Sequence, residues 1–502
     1  MSARILVVGG GLAGLLAARR HQRAGHRVVL LEAEDRLGGA VAELALPGAG
    51  DLALNAGAEA YSTASGAVDA LVAQLGIADR VVFPRAGLGS RIVSAAGVHR
   101  APAGALLGVP GRPLAADVRA VLGWPGALRA ALEPLLPARV GARPGATVAE
   151  TVGRRMGRRV LERLVAPIVG GVHSADPAEL ELAAASPQLA TGLFEHGSLV
   201  RTVRRLRGTG RRGGTGRRGD AGRTAGASAG TRVHALAPTM AALPAALREE
   251  LLAGGGIVRT GVEVTGLDRE GEPWRVDTAR GEQLEADRLV LACPPDTARS
   301  LLAGAAPEIA EAIPETPSAA VRLVALVLDA PALDSHPSGT GALVAPGTPG
   351  IRAKALTHAS AKWEHVERAL REALPSAASP HLVRLSYGRP GEQLPGREEF
   401  VDLALADASA ILGTPLTRSR LADWAVIDWD RAMRRPRPGH RAALDALASL
   451  LEARDDLELV GSWRAGTGLD AIVRADDARA AAAQAPQTTP ISPTAPTEGT
   501  PR

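Results

Sequence analysis

The sequence has little of the chemistry on which disulfide-rich, metal-binding and membrane-spanning proteins depend. Among 502 residues there is one cysteine, Cys293, and the aromatic residues are only three Phe, two Tyr and six Trp. One cysteine excludes an internal disulfide framework and a metal site built from several thiolates. No apolar run reaches the roughly 18 uncharged residues that a spanning helix needs. The N-terminus also lacks the apolar stretch and cleavage site of a secretory signal. These absences predict a cytoplasmic enzyme without a metal.

The positive charge of the chain is concentrated in one segment. Residues 201–232 hold ten arginines and one acid, whereas the remainder has 48 basic and 52 acidic residues. This Arg/Gly-rich segment has no hydrophobic period, which predicts a disordered insertion at 200–232, and the Pro/Thr-rich end predicts a disordered tail at 483–502. An Arg/Gly tract can bind nucleic acid. A solvated loop is the favoured interpretation, so nucleic acid is not an expected partner.

The first thirty residues have the pattern of a dinucleotide-binding unit. A buried strand at 4–8 runs into G-x-G-x-x-G at Gly9, Gly11 and Gly14, and a helix and a second strand follow, ending at Glu32. The glycines let the backbone approach a pyrophosphate, and the helix N-terminus offers free N–H groups. Glu32 is placed to accept hydrogen bonds from ribose hydroxyls and disfavours a 2′-phosphate. The predicted diphosphate turn comprises Gly9, Gly11, Leu12, Ala13 and Gly14.

The residues after the second strand decide which dinucleotide is expected. Glu32-Ala33-Glu34-Asp35-Arg36-Leu37-Gly38-Gly39 resembles the E-A-x-x-R-x-G-G extension of the flavin amine oxidase superfamily. The resemblance implies FAD as the cofactor. It adds four cofactor-binding residues, namely Ala33, Arg36, Gly38 and Gly39. The basic residue that usually follows the glycine pair in the family is Ala40 here.

Three later segments supply further parts of the predicted FAD domain. A strand at 457–460 leads through a Gly-rich loop into a helix, which predicts a second cradle for an anion or a flavin. In the family this loop lies against the flavin ribityl chain and pyrimidine end, which implies Trp463, Gly468 and Leu469 as contacts. By the same resemblance Val264 belongs to the strand that holds the adenine, and Gly57 to a D-x-G-A-E-x-F motif.

The middle of the chain is similar to one branch of that superfamily. Residues 160–172, Ser186-Pro187-Gln188-Leu189 and the segment 354–363 resemble motifs of the bacterial protoporphyrinogen and coproporphyrinogen oxidases, the last one those of actinobacterial type. The resemblance implies an FAD-dependent oxidase that converts coproporphyrinogen III to coproporphyrin III in haem biosynthesis, with O2 as acceptor and H2O2 released. The alternatives are a protoporphyrinogen IX oxidase, another flavin amine oxidase-like enzyme, or an inactive flavin-binding partner protein.

Four residues are candidates for substrate binding. Arg91 falls where the family carries a propionate-binding arginine, although an arginine among 56 can equally be a surface charge. Leu343 is expected to line the ring pocket, with an ordinary core position as the alternative. Lys354 and Lys362 are the only lysines, and they predict either sites where a guanidinium does not fit or chance surface placement.

The family pattern changes at three further places. Thr340 stands where an aromatic residue is expected over the substrate ring. A proline-containing turn becomes Arg434-Arg435-Pro436-Arg437, and the family's Gly-Gly-Met is Pro238-Thr239-Met240 here. These changes could loosen substrate binding, or they could reflect the scarcity of aromatic residues in the chain.

The predicted fold class is α/β, with a Rossmann-type FAD domain, a mixed-sheet substrate domain and a helical subdomain. The apolar stretch 101–136 is expected to be a surface-lying helix pair with peripheral membrane contact, or a buried core helix. The product would pass to ferrochelatase. The predicted boundaries are 1–65, 233–300 and 451–482 for the FAD domain, 66–195 for the helical and substrate region, and 301–450 for the substrate domain.

Overall fold

The structure is a computed structural model that describes residues 2–208 and 233–484, apart from residues 270, 272 and 390. Most of the predicted insertion and nearly all of the predicted tail therefore lie outside the described residues. Residues 199–208 form a helix, which corrects the start of the predicted insertion. The helix forms there because Leu199, Val200 and Val203 recur on one face and are buried.

The described chain alternates short strands and helices. The strands are β1 (Arg4–Val8), β2 (Arg27–Leu31), β3 (Glu43–Leu46), β4 (Leu52–Asn55), β5 (Tyr61–Ser62), β6 (Val81–Val82), β7 (Arg91–Ser94), β8 (Gly97–Arg100), β9 (Ala105–Leu106), β10 (Val109–Pro110), β11 (Val233–Leu236), β12 (Ile257–Arg259), β13 (Val264–Asp268), β14 (Trp274–Thr278), β15 (Gln283–Ala286), β16 (Arg288–Leu291), β17 (Ser318–Asp329), β18 (Gly341–Val344), β19 (Ala355–His358), β20 (Pro380–Tyr387), β21 (Leu421–Arg434) and β22 (Leu457–Leu459). The helices are α1 (Leu12–Arg23), α2 (Ala67–Gln74), α3 (Ala116–Ala131), α4 (Val148–Met156), α5 (Arg158–Val160), α6 (Ala166–Ile168), α7 (Leu182–Ala185), α8 (Pro187–His196), α9 (Leu199–Gly208), α10 (Ala242–Ala253), α11 (Pro295–Ala305), α12 (Pro307–Ala312), α13 (Ala359–Lys362), α14 (Glu364–Ala373), α15 (Arg397–Leu412), α16 (His440–Glu452), α17 (Ser462–Ala465) and α18 (Leu469–Gln484).

A parallel five-stranded sheet forms the base of the molecule. Its strand order is β12-β2-β1-β16-β22, so four separated stretches of chain build it. The central strand β1 is buried on both faces, which is why its sequence is almost continuously apolar. Helices α1 and α10 pack together beside this sheet. The Rossmann-type α/β class is confirmed.

The second large sheet is mixed and has seven strands. Its order is β21-β17-β20-β19-β18-β7-β8, with β18 and β7 parallel and the other neighbours antiparallel. On β17, Val324, Leu326 and Leu328 enter a core with helix α15. Val321 and Leu323 instead line a cavity. The alternation of side chains along the strand thus gives the sheet a packed face and a cavity face.

Helices α3 to α9 form a separate layer around their own apolar core. One buried ion pair ties this layer together, because the Nε of Arg155 donates to the Oε1 of Glu133 at 2.6 Å and both side chains are 0% exposed. The same carboxylate accepts from the Ser198 hydroxyl and from the backbone N–H groups of Leu199 and Val200. Glu133 therefore caps the N-terminus of α9.

The stretch 101–136 contains a helix with one buried side and one exposed apolar side. Helix α3, kinked at Gly123, buries Val118, Val121 and Leu122 in the core of the helical layer. Its opposite side exposes Trp124, Leu128 and Leu132. In residues 2–208 and 233–484, every helix is too short or too polar to cross a membrane.

Candidate functional site

Backbone hydrogen bonds fix the conformation of the N-terminal glycine turn. The N–H of Gly9 donates to the carbonyl of Leu31 at 2.8 Å, and the N–H of Leu15 donates to the carbonyl of Gly11 as the first turn of α1. A Cβ on Gly14 would lie 1.9 Å from the Gly9 carbonyl oxygen. Any side chain at this position therefore collides with the turn itself, which explains the third glycine of the motif.

Glu32 closes the same turn from the end of β2. Its Oε2 accepts from the backbone N–H of Gly10 at 2.6 Å, and its Oε1 accepts from that of Glu34 at 2.9 Å. The N–H of Gly38 donates to the Gly10 carbonyl, and Arg36 donates to the Gly39 carbonyl. The E-A-x-x-R-x-G-G segment is thereby folded back onto the glycine turn.

Gly11 differs from its neighbours because its missing side chain leaves open space. A Cβ built on Gly11 would meet no atom within 4 Å, and the same holds for Gly468, whose φ is +103°. Both glycines line one cavity of about 530 Å³. A backbone that opens onto a cavity from two sides, one of them a helix N-terminus, suits a flat ring carried by a diphosphate. The described residues therefore fit a flavin dinucleotide.

The cavity lies between the two sheets. The sequence-predicted cofactor residues on its wall are Gly11, Leu12, Ala13, Gly38, Gly57, Gly468 and Leu469. The structure thus brings the N-terminal and C-terminal glycine turns, more than 400 residues apart in the chain, to the same space. The opposite wall comes from the substrate sheet and includes Val321, Leu323, Thr357 and Trp429.

The other predicted cofactor residues lie behind or beside the wall. Val264 is buried at the start of β13, next to a segment in which the Val262 N–H donates to the Glu32 carbonyl. The ring of Trp463 packs into the core beneath the parallel sheet. Outside the lining lie Gly9, Gly14, Glu32, Ala33, Arg36, Gly39, Val264 and Trp463.

The charged groups on the cavity wall are all cations. They are Lys354, Arg384 and Arg434, and no carboxylate lines this cavity within the described chain. The ammonium of Lys354 is buried and donates to the hydroxyl of Ser174 at 2.7 Å and to the carbonyl of Gly388 at 3.2 Å. Burial lowers the pKa of Lys354 to about 8. The wall is suited to an anionic ligand.

Lys362 lies in a different environment from Lys354. Its Nζ is 3.3 Å from the Oε1 of Glu59, which also accepts from the Trp363 indole N–H, while Arg384 donates to the Oε2 of Glu59 at 3.0 Å. Burial raises the pKa of Glu59, but Lys362 and Arg384 outweigh this and hold it at about 2. Lys362 is outside the cavity lining, so the structure places it in this ion cluster behind Gly57 and not at the cavity.

Arg91 and Leu343 also lie outside the lining. Arg91 sits at the start of β7, and its Nη1 is buried without a hydrogen-bond partner among the described residues. Leu343 lies directly behind the wall, because a Cβ on Gly171, which lines the cavity, would be 2.6 Å from the Leu343 Cδ2. Of the predicted substrate residues, only Lys354 reaches the cavity.

Several wall residues were not predicted as site residues. Ser174 has a left-handed backbone (φ 47°) and reaches Lys354 across 180 positions of sequence, so no local pattern could reveal it. Trp429 carried a signal, since it is one of six tryptophans in an aromatic-poor chain. Its indole N–H donates to the Ala56 carbonyl, and Arg36 stacks 5.6 Å from its ring centre. Arg434 carried a second signal as a departure from the family pattern.

Curated proteins with related sequences include several coproporphyrinogen III oxidases. A coproporphyrinogen III oxidase of Mycobacterium leprae (strain TN) is 29% identical over 481 residues, which cover 93% of this chain and 95% of the relative. One of Propionibacterium freudenreichii subsp. freudenreichii is 30% identical over 373 residues, covering 71% of this chain and 69% of the relative.

Solved structures with the same fold include a putative protoporphyrinogen oxidase and an amine oxidase. The former, from Exiguobacterium sp. 255-15, superposes with a TM-score of 0.76 at 22% identity, covering 96% of this chain and 99% of that chain. Cyclohexylamine oxidase of Brevibacterium oxydans IH-35A gives a TM-score of 0.64 at 16% identity, with coverage of 96% and 98%.

The sequence model of the flavin containing amine oxidoreductases matches residues 12–478, which include the second glycine turn and every residue of the cavity lining except Gly11. FAD is accordingly the cofactor for which the two turns are built, and the chain belongs to the flavin-containing amine oxidoreductase family.

Proposed function

We propose that this protein is an FAD-dependent oxidase that converts coproporphyrinogen III to coproporphyrin III in haem biosynthesis. The observation that carries the proposal is the cavity, one side of which is the flavin cradle and whose charged wall residues are cations. A tetracarboxylate macrocycle matches such a wall, because carboxylates pair strongly with ammonium and guanidinium groups. The mycobacterial and Propionibacterium relatives carry the name of this activity.

FAD, when bound, supplies a two-electron acceptor for a hydride from a bridging carbon of the macrocycle. The residues of this chain bind and orient the two partners. The apolar wall positions Val321, Leu323 and Met433 offer a surface for the rings and exclude water, while Lys354 holds a carboxylate. Leu343 supports this wall from behind Gly171. Lys362, which lies off the cavity, is assigned the structural role of pairing with Glu59. Arg91 also lies off the cavity.

The cofactor roles follow the same geometry. The turn from Gly9 to Gly14 is assigned to the diphosphate, Glu32 to the ribose, and the segment at Val264 to the adenine. Gly38 and Gly57 would lie beside the flavin, with Ala33, Arg36 and Gly39 supporting them from outside the lining. Gly468 and Leu469 would hold the ribityl chain and pyrimidine end, and Trp463 anchors their loop in the core.

Anaerobic reduction of the holoenzyme by substrate tests the proposal. Coproporphyrinogen III is expected to bleach the flavin absorbance, and readmitted O2 is expected to restore it while Soret absorbance and red fluorescence of the porphyrin accumulate. Bleaching by protoporphyrinogen IX at an equal or higher rate would favour that alternative. Bleaching by amines and not by porphyrinogens would favour another oxidase of the family. A flavin that no substrate bleaches would indicate an inactive flavin-binding protein.

The remaining partners belong to the same proposal. O2 is the proposed acceptor, and transfer of the product to ferrochelatase the proposed next step. Peripheral membrane contact is supported by the exposed apolar side of α3, where Trp124, Leu128 and Leu132 face outward and Arg119 stacks on Trp124 with its guanidinium 4.4 Å from the ring centre. Vesicle flotation of the wild type and of Leu128→Glu would test this contact.

The Lys354 ammonium gives the proposed activity a specific pH dependence. Because its pKa is about 8, the cation that holds a carboxylate is lost as the pH rises through that value. The KM for coproporphyrinogen III is therefore expected to rise about 10-fold between roughly pH 7 and pH 9. In Lys354→Met the KM is expected to be high throughout, and this step should disappear from the pH profile.

The flavin content of each variant is the control for this experiment. Flavin content, read from the absorbance of each variant, should equal that of the wild type, since Lys354 is assigned to the substrate. If the rise in KM near pH 8 persisted in Lys354→Met, a different group would be responsible.

A further inference from the structure

The three cations on the cavity wall differ in the protein groups that they already contact. Arg384 is committed to Glu59 and to the carbonyls of Asn55 and Gly57. Lys354 is held by a hydroxyl and a carbonyl. Arg434 ends strand β21 and meets a carboxylate only at a long distance, because its Nη1 is 3.5 Å from the Oδ1 of Asp296.

Asp296 is a weak counter-ion for Arg434. Its other oxygen, Oδ2, is 3.2 Å from the Nη1 of Arg431, and its side chain is 52% exposed to solvent. Arg434 itself is only 13% exposed. A guanidinium that has lost most of its water and shares a distant, solvated carboxylate lacks the close bidentate partner that such groups prefer. Burial accordingly lowers the pKa of Arg434, which is the direction expected of an under-compensated cation.

The sheet places Arg434 well apart from Lys354. Lys354 directly precedes β19, and the strands β20 and β17 separate β19 from β21. Three interstrand spacings of about 4.8 Å separate the two backbone positions by roughly 14 Å across the sheet. The strand register adds an offset along β17 of four residues, or about 13 Å, because Lys354 is level with Arg322 whereas Arg434 pairs with Ser318. A single carboxylate cannot contact both. A ligand with several carboxylates distributed around a ring can.

We propose that Arg434 binds a second carboxylate of the substrate, at a distance from the one held by Lys354, and thereby selects macrocycles with more carboxylates. The inference rests on the proposed function and deepens it. The turn that departs from the family pattern at residues 434–437 thus supplies specificity. On this basis coproporphyrinogen III, with four carboxylates, gains more from Arg434 than protoporphyrinogen IX, with two.

Steady-state kinetics of Arg434→Met, Arg434→Lys and Arg431→Met test the inference. Arg431 is the matched control, since it pairs with the same Asp296 but is 58% exposed and lies off the cavity wall. In Arg434→Met the KM for coproporphyrinogen III is expected to rise about 10-fold or more, with kcat changing by less than about twofold. The preference for coproporphyrinogen III over protoporphyrinogen IX should fall by a similar factor. Arg434→Lys should recover part of the loss, and Arg431→Met should resemble the wild type.

Two further readouts separate the explanations. Binding of the product coproporphyrin III, followed by fluorescence, should weaken in parallel with the rise in KM. Flavin content should stay constant. A wild-type enzyme that neither turns over coproporphyrinogen III nor binds coproporphyrin III would overturn the proposed function and this inference with it. Turnover by the wild type combined with an unchanged KM in Arg434→Met would overturn the inference alone. Loss of flavin from Arg434→Met, or an equal rise in KM in Arg431→Met, would also overturn it.

Discussion

Replacing Gly11 with alanine is expected to leave the apoprotein folded and to weaken FAD binding by about 100-fold. The reason is that a Cβ at this position meets no protein atom within 4 Å and projects into the space assigned to the cofactor. The backbone of Gly11 has φ −67°, which alanine adopts without strain. The free energy of unfolding of the apoprotein should change by less than about 1 kcal/mol, the cost of alanine at a helix N-cap. Flavin titration by fluorescence quenching measures the first effect, and thermal unfolding without flavin the second.

Alanine substitutions at two other glycines serve as comparisons for this experiment. Gly14→Ala should damage both properties, because its Cβ would lie 1.9 Å from the Gly9 carbonyl oxygen. Gly304→Ala, in helix α11 and also surrounded by open space, should affect neither FAD binding nor folding adversely. An unchanged Kd for FAD in Gly11→Ala would mean that the cofactor does not cross the turn at this residue.

The second large effect is expected in the helical layer, from Arg155→Met. This change leaves the Glu133 carboxylate buried without its cation, and breaking a fully buried pair in this way costs about 3–5 kcal/mol. Arg155 also donates to the carbonyls of Val140 and Gly197, which would lose their partner. The thermal midpoint and the urea midpoint of the wild type and the variant, compared at equal flavin saturation, measure the loss.

Arg158→Met serves as the matched control for the ion pair. Its guanidinium pairs with Glu162 but is 85% exposed, so solvent screens the pair and no measurable loss of stability is expected. The double variant Arg155→Met/Glu133→Leu should regain part of the stability, because no buried charge is then left unpaired. Equal stability of Arg155→Met and Arg158→Met would contradict this account.

The parts of the fold that the sequence predicts are those encoded over short stretches. Strand β1, the glycine turn, helix α1 and Glu32 lie within the first 32 residues, and each has a local pattern of apolar or glycine residues. The second glycine turn near Gly468 has the same kind of local signal. The seven-stranded sheet is less accessible to sequence reasoning, since β7 and β8 join strands that follow more than 240 residues later.

The substrate wall shows where prediction from sequence stops. Lys354 and Lys362 look equivalent in sequence, yet one lines the cavity and the other neutralises Glu59. The difference arises because Lys354 directly precedes β19 whereas Lys362 ends helix α13 after that strand, and no local period encodes which position faces the cavity. Arg434 was noticed as a departure, but its place on the wall follows only from the pairing of β21 with β17. Side chains brought together by long-range strand pairing need the structure.

The parallel sheet has a consequence for how this protein is made. The loop at residues 461–468, which follows strand β22, forms one wall of the cofactor space and is translated long after the glycine turn at residues 9–14. A chain emerging from the ribosome therefore exposes a half-built nucleotide site for most of its synthesis. FAD can bind only after the last segments of the chain have been translated. Cells starved of riboflavin should therefore accumulate full-length chains that proteases cleave near the empty cofactor space, between residues 9–14 and 461–468.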